Sequence, residues 1–479
     1  MSDFEREGFG YLQESAKDAT LSSLDLFSPD PVETKIKERI CCSLRPVTSI
    51  DAGGPYRFRV PGERNSYIDG TSFRINTKFC IKRINPANRQ LENIPAAAGA
   101  AALVYPVDMM SSFLWKNVET KLNHTEISNN SSNTYGIKAA LTTYLSYPES
   151  AQNSLLRASF AKKDTTGAKE NIAANVNAQA RAAWISESKT VETSDPIYTE
   201  LTSTDKFITP GVEIEFLFTE ENINKLLIVV QQFVGAGEDA VAQALHNYKL
   251  VFSELVLTYD RIILKDLMSA AYSELLLKTP AIYPYTVTDI RTKTFDDGQQ
   301  TARWDNCYAG KIPDQILICM NKTQAADGVA TRDILNFERF NIEQMILTVN
   351  SKAIPSEHLK FGEDDCIRAY RWFCDNSGVG TSTAPTMITY EDFKNGMFIV
   401  PYDLSGDRCA LYHTHEKKIG NISLEVNFRE DLEQKINIYF VSVYRSNFYI
   451  SGPEGNRKVE REFPKRIADR SGVEKKVAA

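Results

Sequence analysis

Apolar residues recur at every second position through long stretches of this chain. Tyr56, Phe58 and Val60 alternate with Arg57 and Arg59, and Phe73, Ile75, Phe79 and Ile81 with Arg74, Asn76, Lys78 and Lys82. Such alternation turns one face of a strand to a core and the other to water. The period returns at Val212, Ile214, Phe216 and Phe218, then at Leu226–Val230. It holds through 248–259, where the apolar face switches around Ser253–Glu254 and predicts a bulge. Further strands are expected at Ile282–Ile290, Ile316–Met320, Ile342–Val349, Phe398–Tyr402 and Ile422–Phe428. In the last, Ile422, Leu424, Val426 and Phe428 alternate strictly with Ser423, Glu425 and Asn427. Asp431–Gln434 supply a turn, from which Ile436, Ile438 and Phe440 are expected to return as a hairpin along the same inner face, extended by Phe448 and Ile450.

Helical spacing is confined to a few places. Asp108 is placed to cap a short turn carrying Met109, Met110, Phe113 and Leu114. A strand with Val118, Thr120 and Leu122 on one face follows, then a polar loop and a second helix with Ile137, Leu141 and Leu145 four apart. A stripe at Ile172, Val176, Ala180 and Trp184 predicts a helix inside an Ala-, Ser- and Thr-rich region from 148 to 205, read as a surface excursion. Residues 265–280 have helical spacing ending at Pro280.

Many strands with few helices between them exclude a doubly wound α/β domain, which needs a helix for each crossover. The remaining reading is all-β, Greek-key sandwiches, two in tandem by the length, with short helices in the loops between strands; a family resemblance in the order of the motifs implies that each is an eight-stranded jelly roll. The expected division is an arm at 1–35, anchored through Leu24, Leu26 and Phe27, and a first jelly roll at 36–265 carrying the insertion 148–205. A linker at 266–280, a second jelly roll at 281–452 and a basic tail at 453–479 complete it.

Composition narrows the function. A net charge of −7 over 479 residues argues against a surface built mainly to grip nucleic acid. The tail, with Arg457, Lys458, Arg461, Lys465 and Arg466, is the exception, read first as a solvated end and second as a weak contact to nucleic acid. No apolar run reaches membrane-spanning length, and the opening MSDFEREGFG has no secretory character. Eight cysteines without a CxxC pair read as reduced thiols in a cytosolic or nuclear setting, so the acceptors at Asn123, Asn130, Asn321 and Asn421 carry little weight.

Candidate chemistry is sparse. Gly235, Gly237 and Ala240 match a GxGxxA fingerprint formally, but no succession of βα units surrounds them. His413 and His415, two apart, would share a face of a strand, and with Asp403, Asp407 or Glu416 could hold a metal; a surface loop is the preferred reading. Gly378–Thr381 lacks the lysine of a phosphate loop. Cys41 and Cys42 are adjacent and poorly placed to share a metal, and the pairs Asp364–Asp365 and Glu430–Asp431 read as solvated turns. No catalytic, cofactor or metal residue is therefore assigned, and no enzyme is expected.

The order of elements carries a resemblance. An aliphatic–Pro pair, a short helix with Phe113–Trp115, a strand ending Leu122–Asn123, an Asn-rich loop and a helix ending Leu145–Tyr147 follow one another. Downstream come KFITPGVEIEFLF (Lys206–Phe218), WDNCYAGKIPDQILI (Trp304–Ile318), NFERFNIEQMILTVN (Asn336–Asn350), GMFIVPYDL (Gly396–Leu404) and Gly420–Ile450. In this order they resemble double-jelly-roll major capsid proteins of Maverick/Polinton elements and adintoviruses, over most of residues 20–452. The resemblance implies a homotrimer of pseudo-hexagonal outline tiling an icosahedral virion capsid, with penton or minor capsid proteins as partners and assembly in host cytoplasm or nucleus. The alternative is a receptor- or carbohydrate-binding virion protein (a penton, spike or fibre), for which Tyr283, Tyr285, Trp304 and Trp372 could serve as loop-tip aromatics. A cupin-type enzyme would need more than five histidines with one close pair.

Overall fold

A computed structural model describes residues 32–85, 88–96, 104–128, 134–229, 248–329, 331–362, 366–380, 384–410 and 413–461. The alternating stretches become strands whose apolar members are buried. In β1 (Ile36–Leu44), β2 (Tyr56–Val60), β3 (Arg74–Ile84), β4 (Trp115–Leu122), β5 (Thr125–Glu126), β6 (Val191–Pro196), β7 (Ile214–Glu220) and β8 (Tyr248–Leu264), all neighbours run antiparallel. One sheet has the order β1-β8-β3-β6 and the other β2-β7-β4-β5, with shorter strands at the margins. Their inner faces meet through aromatic rings. Trp115 stacks on Phe252 at 5.9 Å between centroids, and Phe216 meets Phe73 edge-on at 4.9 Å.

The second half repeats this order with unrelated residues. It contains β9 (Ala281–Phe295), β10 (Thr301–Lys311), β11 (Gln315–Lys322), β12 (Ile342–Val349), β13 (Lys352–Lys360), β14 (Ile399–Asp403), β15 (Ile419–Phe428) and β16 (Ile436–Ser451). The sheets are β9-β16-β11-β14 and β10-β15-β12-β13. In both halves the first, eighth, third and sixth strands face the second, seventh, fourth and fifth. That is the jelly-roll topology, twice in one chain.

Several details depart from the sequence reading. The segments 422–428 and 436–440 do not form a hairpin. β15 pairs with β10 and β12, whereas β16 pairs with β9 and β11 in the opposite sheet. Both bury apolar residues toward one core, so periodicity alone cannot tell a hairpin from a crossing between sheets. The bulge lies where the apolar face switched, at the register slip between Phe252 and Glu254. The insertion 148–205 is more than a surface excursion, since β6 within it pairs with β3.

Six helices matter here: α1 (Met110–Phe113), α2 (Tyr135–Ser146), α3 (Val176–Ile185), α4 (Asp266–Lys278), α5 (Ile367–Ser377) and α6 (Tyr390–Lys394). α3 begins after Ile172 and leaves Val176 65% exposed. Its buried residues are Ala178, Arg181, Ala182 and Ile185, so the expected stripe is displaced by an inward-facing arginine. α4 connects β8 to β9. Past β16, the expected tail first forms β17 (Lys458–Arg461), which pairs with Phe448–Ser451.

Candidate functional site: the seam between the two sandwiches

Several of the most deeply buried polar side chains, Asp108, Asn175, Arg181 and Asp333 among them, lie around the place where the halves meet. At one end, the crown, the insertion of the first sandwich lies over loops of the second. Asp108 does not cap α1 by its side chain in the expected way; Met109, at φ 51°, holds the cap position. Asp108 is instead a buried tie. Its Oδ1 accepts from the N–H of Met109 (2.9 Å) and of Lys162 (2.7 Å), and its Oδ2 from the Tyr144 hydroxyl (3.0 Å). One carboxylate thus joins α1, α2 and the insertion.

Arg181 is fully buried beside it. Its Nε donates to the Pro106 carbonyl at 2.9 Å, Nη2 to Asp164 Oδ1 at 2.5 Å, and Nη1 to the Lys162 carbonyl. Asn175 caps α3 through Oδ1, which accepts from Ala178 N at 3.0 Å, while its Nδ2 donates to Asp164 at 2.8 Å. From this knot the insertion reaches the second sandwich. Lys163 Nζ meets Asp392 Oδ2 at 2.8 Å, Thr166 donates to the other oxygen at 2.6 Å, and Glu170 pairs with Arg332 at 2.7 Å and Lys322 at 3.1 Å. Lys169 donates to the Leu335 carbonyl, and Met387 N and the Thr386 hydroxyl both donate to the Tyr144 carbonyl at 2.9 Å.

Burial sets the electrostatics of the knot. It raises Asp333 to about 7, with the Asp164 charge pushing the same way and Lys169 opposing. It likewise raises Asp108 against the pull of Arg181. For Asp164 burial is outweighed by Arg181 and Lys169, which hold the carboxyl below its ordinary value, and Lys163 does the same for Asp392. Asp195 in β6, pushed by burial up to about 6, accepts from Ser112 at 2.6 Å and Ser111 at 3.1 Å, fixing α1 to the sheet.

At the other end, the foot, the contacts run largely through main-chain groups. The Thr209 N–H donates to the Tyr283 hydroxyl (3.2 Å), which donates to the Phe207 carbonyl (3.1 Å). Asn123 donates to the Arg457 carbonyl at 3.0 Å and Thr125 to the Val459 carbonyl at 3.2 Å. Arg457 is buried, its guanidinium on the Pro210 and Gly452 carbonyls, so this part of the tail is structural rather than solvated.

The residues weighed for chemistry fall out as follows. Gly235–Ala240, Asp364–Asp365, Thr381, Asn130, Leu24, Leu26, Phe27, Lys465 and Arg466 lie outside the described residues. Gly378, at φ 70°, ends α5, and Gly380, at φ 82°, turns the chain. All eight cysteines are free; Cys41 and Cys42 lie on β1. Tyr283 and Tyr285 are buried in the seam, Trp304 packs on Phe440, and Trp372 donates to the Pro401 carbonyl at 2.8 Å. None is a loop-tip platform for a sugar, because each ring is committed to packing. His413 and His415 come together with Asp407 but not with Asp403, which accepts instead from the N–H of Ser405 at 2.9 Å. Sequence reasoning missed Arg181, Asp164 and Asp333; the one signal was Arg181, a charge within the helix expected over 172–184. No described helix is long and apolar enough to cross a membrane.

Two complete jelly rolls in tandem, clamped to each other at crown and foot, define a double-jelly-roll protein. The fold is shared along almost the whole chain with a chain of the Sputnik virophage structure (TM-score 0.56, 13% identity, 96% of each chain). It is shared as well with the Faustovirus major capsid protein (TM-score 0.54, 7% identity, 88% of this chain and 92% of that one). The mavirus major capsid protein superposes with a TM-score of 0.50 at 10% identity, over 97% of this chain and 100% of that one. No protein-family model and no curated protein matches the sequence.

Proposed function

We propose that this chain is a structural major capsid protein, the repeated subunit of an icosahedral shell. The observation that carries the reading is the pair of jelly rolls held as one block by the crown and the foot. That body can present two similar lateral faces, so threefold association turns two faces into six and fills a hexagonal lattice with one gene product. The full-length likeness in fold to capsid proteins supports the role. The order of sequence motifs supports the finer placement among Maverick/Polinton-type capsid proteins. Leu267, Leu275 and Leu277 of α4 are exposed at 84%, 55% and 63%, apolar surface of the kind an assembling subunit buries. On this reading the working unit is a homotrimer in the virion capsid, joined by penton or minor capsid proteins, with host cytoplasm or nucleus as the place of assembly. The basic residues beyond Arg461 are the part open to weak contact with packaged DNA.

Light scattering after gel filtration, with negative-stain microscopy of the same fractions, tests the proposal. Particles of three chains with a hexagonal outline, or closed shells, are the expected result. A chain that stays monomeric at every concentration and salt tried, with no lattice on the grid, would remove it.

A further inference from the structure

We propose that Asp407, His413 and His415 form a binding site for one divalent transition-metal ion of the zinc class, on the segment that joins β14 to β15. One carboxylate oxygen and one imidazole nitrogen from each histidine lie within 4.8 Å of one another, the only such group among the described residues. The Nε2 atoms of His413 and His415 stand 2.7 Å and 2.9 Å from the two oxygens of Asp407, and the ring centroids are 4.6 Å apart. A zinc ion with bonds of about 2.0–2.2 Å to nitrogen and oxygen needs ligand atoms only slightly farther apart than these. The ion would take the place of the hydrogen that now links the carboxylate to each imidazole; the neutral ring keeps that hydrogen by carrying it on Nδ1, which frees Nε2 to bind the ion.

A second feature points the same way. Nδ1 of His415 is buried without a hydrogen-bond partner among the described residues, and Asp314 Oδ1 stands 3.9 Å from it. A metal-bound histidine characteristically donates its other ring N–H to a carboxylate, which orients the ring and strengthens the ligand. Asp314 is placed for that role after a shift of under an ångström. Asp407 is itself positioned, since its Oδ1 also accepts from the Cys409 N–H at 3.1 Å. The ligand set of two imidazoles and one carboxylate, open to solvent on one side, suits zinc, with cobalt as a coloured substitute; hard ions such as calcium call for oxygen alone. The consequence is mechanical: the ion would staple this segment to the turn at Ile312–Asp314, against which it already forms a cleft of about 300 Å³.

The test uses the full chain, stripped with a chelator and titrated with zinc chloride. One equivalent should bind and survive gel filtration, and cobalt should give a visible absorption band at the same stoichiometry. The double variant H413A/H415A should lose binding more than 100-fold and D407N more than 10-fold. H358A, a substitution on exposed β13, should change nothing. Zinc should also slow tryptic cleavage at exposed Arg408 several-fold in the parent and not in H413A/H415A. Equal metal retention by parent and H413A/H415A, or less than a tenth of an equivalent on the parent, would overturn the proposal. Unchanged circular dichroism of the variants without metal separates lost binding from lost folding.

Discussion

Gly136 and Arg181 show how single residues set the packing behind the seam, within the first half. Gly136 lets α2 approach α1 so closely that a Cβ there would stand 2.8 Å from Cγ of Phe113 and nearer still to the ring edge. Gly136→Val should therefore lower stability by about 1–3 kcal/mol, the usual range for overpacking, read as a lower denaturant midpoint. Arg181 faces two carboxylates in a dry interior. Arg181→Met keeps the bulk and abandons the charge of Asp164, so a loss of about 3–5 kcal/mol is expected, far more than a surface arginine would cost. A denaturation midpoint within error of the parent would show that the buried pair contributes nothing. The strands were legible residue by residue: Tyr56, Phe58 and Val60 are buried and Arg57 and Arg59 exposed, as alternation demands. Arg181 was not, because hydropathy assigns every arginine to water and cannot see a partner 17 positions earlier in the chain. The histidine pair lay in between. His413 and His415 were visible as a pair, but only the fold could choose Asp407 over Asp403 and Glu416.

Elements differ in how much of their placement was written locally. β15 could be read from its own residues, yet its partners could not, since an inward apolar face fits a hairpin and a sheet-to-sheet crossing equally. The first half of β16 is buried on both faces, with Phe337 packing on Tyr439, so alternation fades where loops cover the outer side. β17 was hidden by its charge. Its four residues, KVER, resemble a solvated end, and only the open edge of β16 makes them a strand. This changes what truncation should do. A chain ending after Arg461 is expected to melt with the parent. One ending after Gly455 loses Arg457 and β17 and should melt several degrees lower, by circular dichroism. Equal melting of the two would mean that Arg457 and β17 add no stability.

For the whole molecule, the buried carboxylates predict an acid optimum. The folded values of Asp195 and Asp333, about 6 and about 7, lie above the ordinary value, so the folded chain holds these protons more firmly than the unfolded one. Their contribution is complete below the ordinary carboxylate value and is lost as pH rises through 6 and 7. Asp164 and Asp392 are shifted the other way, and theirs is lost as pH falls through their depressed values. The melting temperature should pass through a maximum at about pH 4, fall from there to about pH 7, and level off above. Asp333→Asn should flatten part of that fall, and an undiminished slope in the variant would reassign the effect to other groups.

Among the described residues, ion pairs between the halves lie at the crown, beside hydrogen bonds to main-chain carbonyls, whereas the foot is held by hydrogen bonds. Strong acid, which neutralises carboxylates and leaves amides untouched, should loosen the molecule at the crown before the foot. It would open like a book with its spine intact, and neutralisation would close the covers again without any search for the right alignment.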